Sequence, residues 1–369
     1  MLRRLLLVIV TSAALMLSAG IGVLAADWPF LHRLWQLVPE GNGWRATAPP
    51  PRESFGGPAT AFFPLAAPAA RTIDAAALAQ AEARAAADDS EALLVLHRGE
   101  VQLERYWQGL TRETRYPVRG FSRALLGLAY GRALADGRID SLDARVDRWL
   151  EEWQGEERGA ITLRQLLWNV SGLGARPLDD WMALLGREGR LQFGTRSARA
   201  ALSFRLAHEP GTHFAPSAVD AQLLGLVLER ATGESYPHFI AQALWQPIGA
   251  GPADLRLDRR GGTAAMFDGL RATPGDLLRL GAFLAAEGVV GGRPLWPPGW
   301  TLELARGSAP NPHHGLDARG LDDGGVMLAG DGCALWAWPR EQLVVLRLGP
   351  ATAGWDSGVL PALLRGALH

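Results

Sequence analysis

Two stretches of this chain hold side chains whose types and spacing invite chemistry. In Gly120-Phe121-Ser122-Arg123-Ala124, a serine two residues after a glycine has the spacing of a nucleophile carried on a sharp strand-to-helix turn, where backbone N–H groups can hold an oxyanion. Such a turn needs a buried strand before it, and Tyr116-Pro117-Val118-Arg119 is a poor strand. Ser122 therefore reads first as structural and only second as a nucleophile. Arg123 keeps its proton under ordinary conditions, so it can stabilise an anion but cannot act as a base. The second stretch, His208-Glu209 with His213, suggests a metal site. Pro210-Gly211 breaks the helix that a His-Glu-x-x-His pair requires, and the spacing is wrong. His313-His314 sits in a Pro-flanked loop without a second ligand cluster in sequence. No metal and no cofactor is implied.

The elements that must position these residues follow from periodicity. Pro117 bars helix upstream, Leu125, Leu128, Ala129 and Leu134 recur at helical spacing, and Gly137 supplies a stop. Before them, Thr72 or Asp74 can cap an alanine-rich helix, and Ala92–His97 and Val101–Trp107 predict a hairpin about Arg98-Gly99-Glu100. After them, Thr162 can cap a helix carrying Leu163, Leu166 and Leu167, with Gly172 as its stop and Ser171 as a helix-end residue. Near the end, Cys333–Trp338 and Gln342–Leu348 predict paired strands, with Trp336 and Trp338 in the core, and 357–368 a closing helix.

The stretch Tyr116–Leu150, with Gly131, Gly137 and Ser141-Leu142-Asp143-Ala144-Arg145-Val146, resembles the nucleophile helix of the serine β-lactamase and penicillin-binding family, in its esterase and 6-aminohexanoate-dimer-hydrolase-like branch. Three further segments are similar to that family in the same order. They are Ile161–Leu173, then Glu209–Phe214 with Gln222–Gly233 and Leu244–Gly249, and last Gly269–Gly281. The resemblance covers roughly 75–365 and implies an α/β (α+β) fold. In it a β-lactamase-like antiparallel sheet is flanked by terminal helices, and a mainly helical region over about 120–250 is inserted in the sheet region.

The same frame implies the site. The family places Ser-x-x-Lys at the helix start, Tyr-x-Asn six residues into the Pro-Gly-Thr segment, and Lys/His-Thr/Gly-Gly on the inner strand before the last hairpin strand. Here those positions are Gly120 with Arg123, Pro216-Ser217-Ala218, and Gly330-Asp331-Gly332. The chain contains no lysine, so all 37 basic residues are arginine. Ser122, Arg123, Ser217 and Asp331 remain as candidate cleft or binding residues, and Arg123 with Asp331 as a candidate ion pair. Two expectations follow. One is a non-catalytic envelope protein that binds a small molecule or a protein partner. The other is a serine hydrolase working through a relocated nucleophile such as Ser122.

A formal charge of -1 over 369 residues gives no electrostatic footprint for nucleic acid. Met1–Ala26 carries Arg3-Arg4 and then no charge from Leu5 to Ala25, the pattern of a signal peptide or an N-terminal membrane anchor that would place the body outside the cytoplasm. Residues 27–70 read as an irregular arm or linker, and 71–369 as the folded domain. Cys333 is the sole cysteine, which rules out an intramolecular disulfide.

Overall fold

The computed structural model describes residues 28–40, 43–47, 49–352 and 355–369, so the expected leader at 1–26 lies outside the described residues. No helix among the described residues is long and apolar enough to cross a membrane. The arm is more ordered than its composition suggests. It contains a helix over 28–35, and β1 (Arg52–Phe55) pairs antiparallel with a strand about two hundred residues later. That long-range pairing is invisible to local periodicity.

From there the chain forms α1 (Ala75–Ala87), the hairpin β2 (Ala92–His97) and β3 (Glu100–Tyr106), and the short β4 (Tyr116–Pro117). A tight helical turn, Arg119–Arg123, runs directly into α2 (Ala124–Ala135). The helical region continues with α3 (Leu163–Leu167), several short helices and α4 (Ala218–Thr232). β5 (Ala253–Arg256), β6 (Leu270–Ala272) and α5 (Pro274–Ala285) lead to β7 (Arg319–Gly320), β8 (Val326–Gly330), β9 (Cys333–Trp338), β10 (Leu343–Leu348) and α6 (Val359–Arg365).

The main sheet has six antiparallel strands in the order β7-β8-β9-β10-β2-β3. Period-two alternation sorts its side chains onto two faces. Leu93, Val95, Trp336, Trp338, Leu343 and Val345 pack with Leu78, Ala81, Leu360 and Leu364 of the terminal helices α1 and α6. Leu94, Leu96, Leu335, Val344 and Leu346 face the helical core. There α5 lies directly on the sheet, because a Cβ at Gly281 would stand 2.3 Å from Val344. A smaller sheet, β1-β5-β6-β4, borders the helical region.

Local chemistry sets several helix ends. Thr162 and Gln165 form a reciprocal capping box on α3. That helix is stopped by Asn169 in the left-handed region at φ 57°, not by Gly172. Gly172 has a different role, since a Cβ there would meet His208 O at 2.2 Å. Within α2, Gly131 leaves room for the Trp300 indole, whose Nε1 would be 2.3 Å from an added Cβ.

Candidate functional site

The site is assembled at the turn Arg119–Arg123. Phe121 is buried beneath it, and β6 pins it from both sides. The Val118 N–H donates to Leu270 O at 3.1 Å, and the Leu270 N–H donates to Ser122 Oγ at 3.0 Å. Ser122 is thus buried and committed to the backbone of β6. The expected placement of Ser122 in a cleft is not met, because its position in the turn directs the hydroxyl inward.

Gly120 opens toward the hairpin β8–β9. Gly330, the last residue of β8, stands so close that an added Cβ would lie 2.1 Å from Phe121 N and 2.3 Å from Gly120 C. The two glycine positions brought together by the sequence frame are therefore in backbone contact. Asp331 and Gly332 make the turn, with φ of 49° and 89°, between the paired residues Gly330 and Cys333. Positive φ at both central positions is the geometry of a two-residue hairpin turn with the twist of the strands it joins. Arg347, fully buried in β10, braces this turn by donating to Gly332 O at 2.5 Å, and it also donates to the carbonyls of Asp88 and Pro350 and to Ser90 Oγ. The Asp331 carboxylate turns back and accepts the Gly120 N–H at 2.9 Å.

Arg123 does not meet Asp331, so the expected ion pair between them is corrected. One helical turn separates Gly120 from Arg123, and the guanidinium points into the helical region instead. Its Nη2 donates to Asp317 Oδ1 at 2.7 Å and to Asn169 Oδ1. Asn169 Nδ2 donates to the same Asp317 oxygen at 3.0 Å, and His314 Nε2 lies 3.1 Å from that amide. Burial alone would push the Asp317 carboxyl up, but the Arg123 charge and the bonds from His314 and Asn169 prevail and hold it below its ordinary range.

A second carboxylate adjoins this network. Asp220 in α4 is fully enclosed and accepts from Ser171 Oγ at 2.7 Å, while burial raises its pKa to about 7. Its Oδ2 and that of Asp317 are buried without partners. Two nearby carboxyls are therefore driven apart, Asp317 ionised and Asp220 retaining its proton to near neutrality.

Ser217 caps α4, its Oγ accepting from the Asp220 N–H at 3.3 Å. Pro216, Ser217 and Ala218 line a cleft of about 390 Å³ with the apolar Leu178, Leu191 and Phe204 and the polar Arg176, Glu188 and Gln192. The cleft is joined to the buried network through the backbone, since the Ala215 N–H donates to Asn169 O at 2.9 Å. Gly120 does not line it. His208 and His213 stack at 4.5 Å in a loop. Among the described residues no group of three or more His, Cys, Asp or Glu side chains is placed to hold a metal ion.

Sequence reasoning missed Asn169, Asp220 and Asp317. Asn169 lies inside and Asp220 beside the segments that carried the resemblance, but neither was singled out there. Asp317 has no motif at all. The one signal was Arg123 itself, for which the sequence frame offered Asp331 as the carboxylate partner.

An antiparallel sheet covered by terminal helices, with a helical insert whose first long helix starts against the inner strand, defines the β-lactamase-like class of serine-hydrolase folds. The chain belongs to the Beta-lactamase family, whose model matches residues 76–349. Protein flp of Staphylococcus aureus is 28% identical over 138 residues, covering 37% of this chain and 27% of that protein. Esterase EstB of Burkholderia gladioli is 32% identical over 214 residues, covering 49% of this chain and 53% of the esterase. The chain thus spans about a quarter and about half of these relatives. A putative 6-aminohexanoate-dimer hydrolase from Bacillus anthracis superposes with a TM-score of 0.72 at 17% identity, over 86% of this chain and 89% of that one, a likeness of fold.

Proposed function

We propose that this member of the family binds a ligand in the cell envelope and does not hydrolyse one. The observation that carries the reading is at Gly120. The position has no hydroxyl, and its N–H, a donor that an oxyanion would need, is occupied by the Asp331 carboxylate. Arg123 cannot serve as a base and is held in a buried ion pair. Similarity to an esterase and a dimer hydrolase favours acyl transfer as the default. Against that default, loss of a serine nucleophile lowers turnover by roughly a million-fold, and the other members of such a unit do not compensate. Ser122 gives no substitute, being buried and bonded to Leu270 N.

The binding element in this reading is the cleft at the N-terminal end of α4. Its size, and a lining that sets Leu178, Leu191 and Phe204 beside Arg176, Glu188 and Gln192, suit a small molecule with both apolar and polar groups. Arg3-Arg4 followed by the uncharged run to Ala25 supports export of the body. The test is labelling of the full chain with a fluorophosphonate and with a fluorescent penicillin, using EstB as the positive control. No covalent adduct is expected on this protein under conditions that label the esterase. An adduct on any serine, located by mass spectrometry, overturns the reading.

A further inference from the structure

Outside the site, the described surface carries a group of large apolar side chains that the fold does not use. In the helix 28–35, Trp28 is 63% and Trp35 90% exposed. They are seven residues apart and so share one face. The opposite face is anchored to the domain. Phe30 is buried under the Arg190 guanidinium at 4.8 Å, and Arg33 Nη1 donates to Phe193 O at 3.1 Å and Gly194 O at 2.8 Å. The helix Arg187–Phe193 that receives these contacts also holds the neighbouring helix Trp181–Leu185, because Arg190 Nη1 donates to Leu185 O at 2.6 Å. In that neighbour Ala183 faces inward, while Trp181, Met182 and Leu185 are 67%, 50% and 48% exposed, at the spacing of one helix face.

We propose that the exposed faces of 28–35 and Trp181–Leu185 form one surface that rests in the interface of a phospholipid bilayer. The occupant is identified by where the chain goes. A single residue, Asp27, separates Trp28 from the apolar run that ends at Ala26. Taken as the membrane anchor of the two readings above, this run leaves, at no more than about 3.6 Å per residue, no spacer to lift the helix away from the bilayer. Tryptophan is the side chain best suited to that depth, with an apolar ring and a polar N–H. The contacts of Arg33 and Arg190 tie the helix that carries Trp181, Met182 and Leu185 to the same support, and in this proposal both faces lie at one depth. An apolar segment alone would leave the domain free to tumble on its tether; a second contact fixes which side faces the lipid. The inference rests on the apolar run and these contacts, not on the absence of hydrolysis.

The experiment uses the full chain reconstituted in vesicles of phosphatidylethanolamine and phosphatidylglycerol. Cys333 is buried and stays unlabelled. Single cysteines replace Trp35, Trp181 or Leu185, and Arg98 in the β2–β3 turn as the aqueous control, each labelled with an environment-sensitive fluorophore. Positions 35, 181 and 185 should show blue-shifted emission quenched by nitroxides on the lipid chains, and position 98 should be quenched only by aqueous iodide. Leu185→Cys keeps the test valid if Trp181→Cys perturbs the helix. Aqueous quenching at both 181 and 185 would overturn the proposal. So would shielding from iodide without quenching by lipid nitroxide, which would mean that a second copy covers this face.

Discussion

At one end of the turn Arg119–Arg123, a solvent-exposed carboxylate holds the helix start to the hairpin by one bond to the Gly120 amide. At the other end, Arg123 is tied to a buried carboxylate within a shared network of Asn169 and His314. The two contacts use the same acid type and similar distances, yet their consequences differ because water competes far more for one than for the other. An exposed hydrogen bond nets about 1 kcal/mol. A buried ion pair gains little overall against the cost of dehydrating both charges, but removing one partner leaves the other stranded. The Asp331 contact can therefore open without disturbing the core, whereas the Asp317 contact cannot.

The sharpest way to break this contrast is Asp317→Ala. It should destabilise the protein by about 3–5 kcal/mol in urea unfolding, since the Arg123 charge is left without its partner. A loss below about 1 kcal/mol would mean that solvent reaches Arg123 and that the two ends are alike. Next in size is a pH effect at Asp220. Its folded-state pKa of about 7 lies above the ordinary 3.8, so the stability gained by keeping the proton is complete below about pH 4 and declines as pH rises through 7. Melting temperature should therefore fall by several degrees between pH 5 and 8. Asp220→Asn should flatten that slope, and an unchanged slope in the variant would assign it elsewhere. Asp317, with its lowered pKa, acts in the opposite sense and only toward the acid end. The smallest effect belongs to Asp331→Gly, which removes the carboxylate and still accepts the positive φ. Stability should change by less than about 1 kcal/mol while hydrogen exchange at the Gly120 amide accelerates. A larger loss would make the exposed contact as structural as the buried one.

What the sequence made legible follows the same division. Elements whose identity depends on neighbours in sequence were readable: the Thr162 cap, the β2–β3 hairpin, and the paired strand β9 that buries Trp336 and Trp338. The approach of Gly120 to Gly330 was readable as well, because a family frame supplies long-range register that periodicity cannot. What stayed hidden depends on side-chain direction at long range. Nothing near Asp317 in sequence marks it as the partner of Arg123, and the pairing of β1 with β5 spans most of the domain. Ser122 illustrates the limit in the other direction. Its spacing suggested chemistry, and only the N–H of Leu270 shows what the hydroxyl does.

The two-residue reversal at Asp331-Gly332 has a consequence for any attempt to install new reactivity here. A longer connection would project past Gly120 and offer extra amides to an incoming molecule, but this tight reversal ends with the Asp331 carboxylate on the Gly120 N–H. Redesign must therefore add chain at the hairpin tip, in pairs of residues so that inward and outward sides keep their places. Exchanging side chains alone leaves the reversal as short as it is.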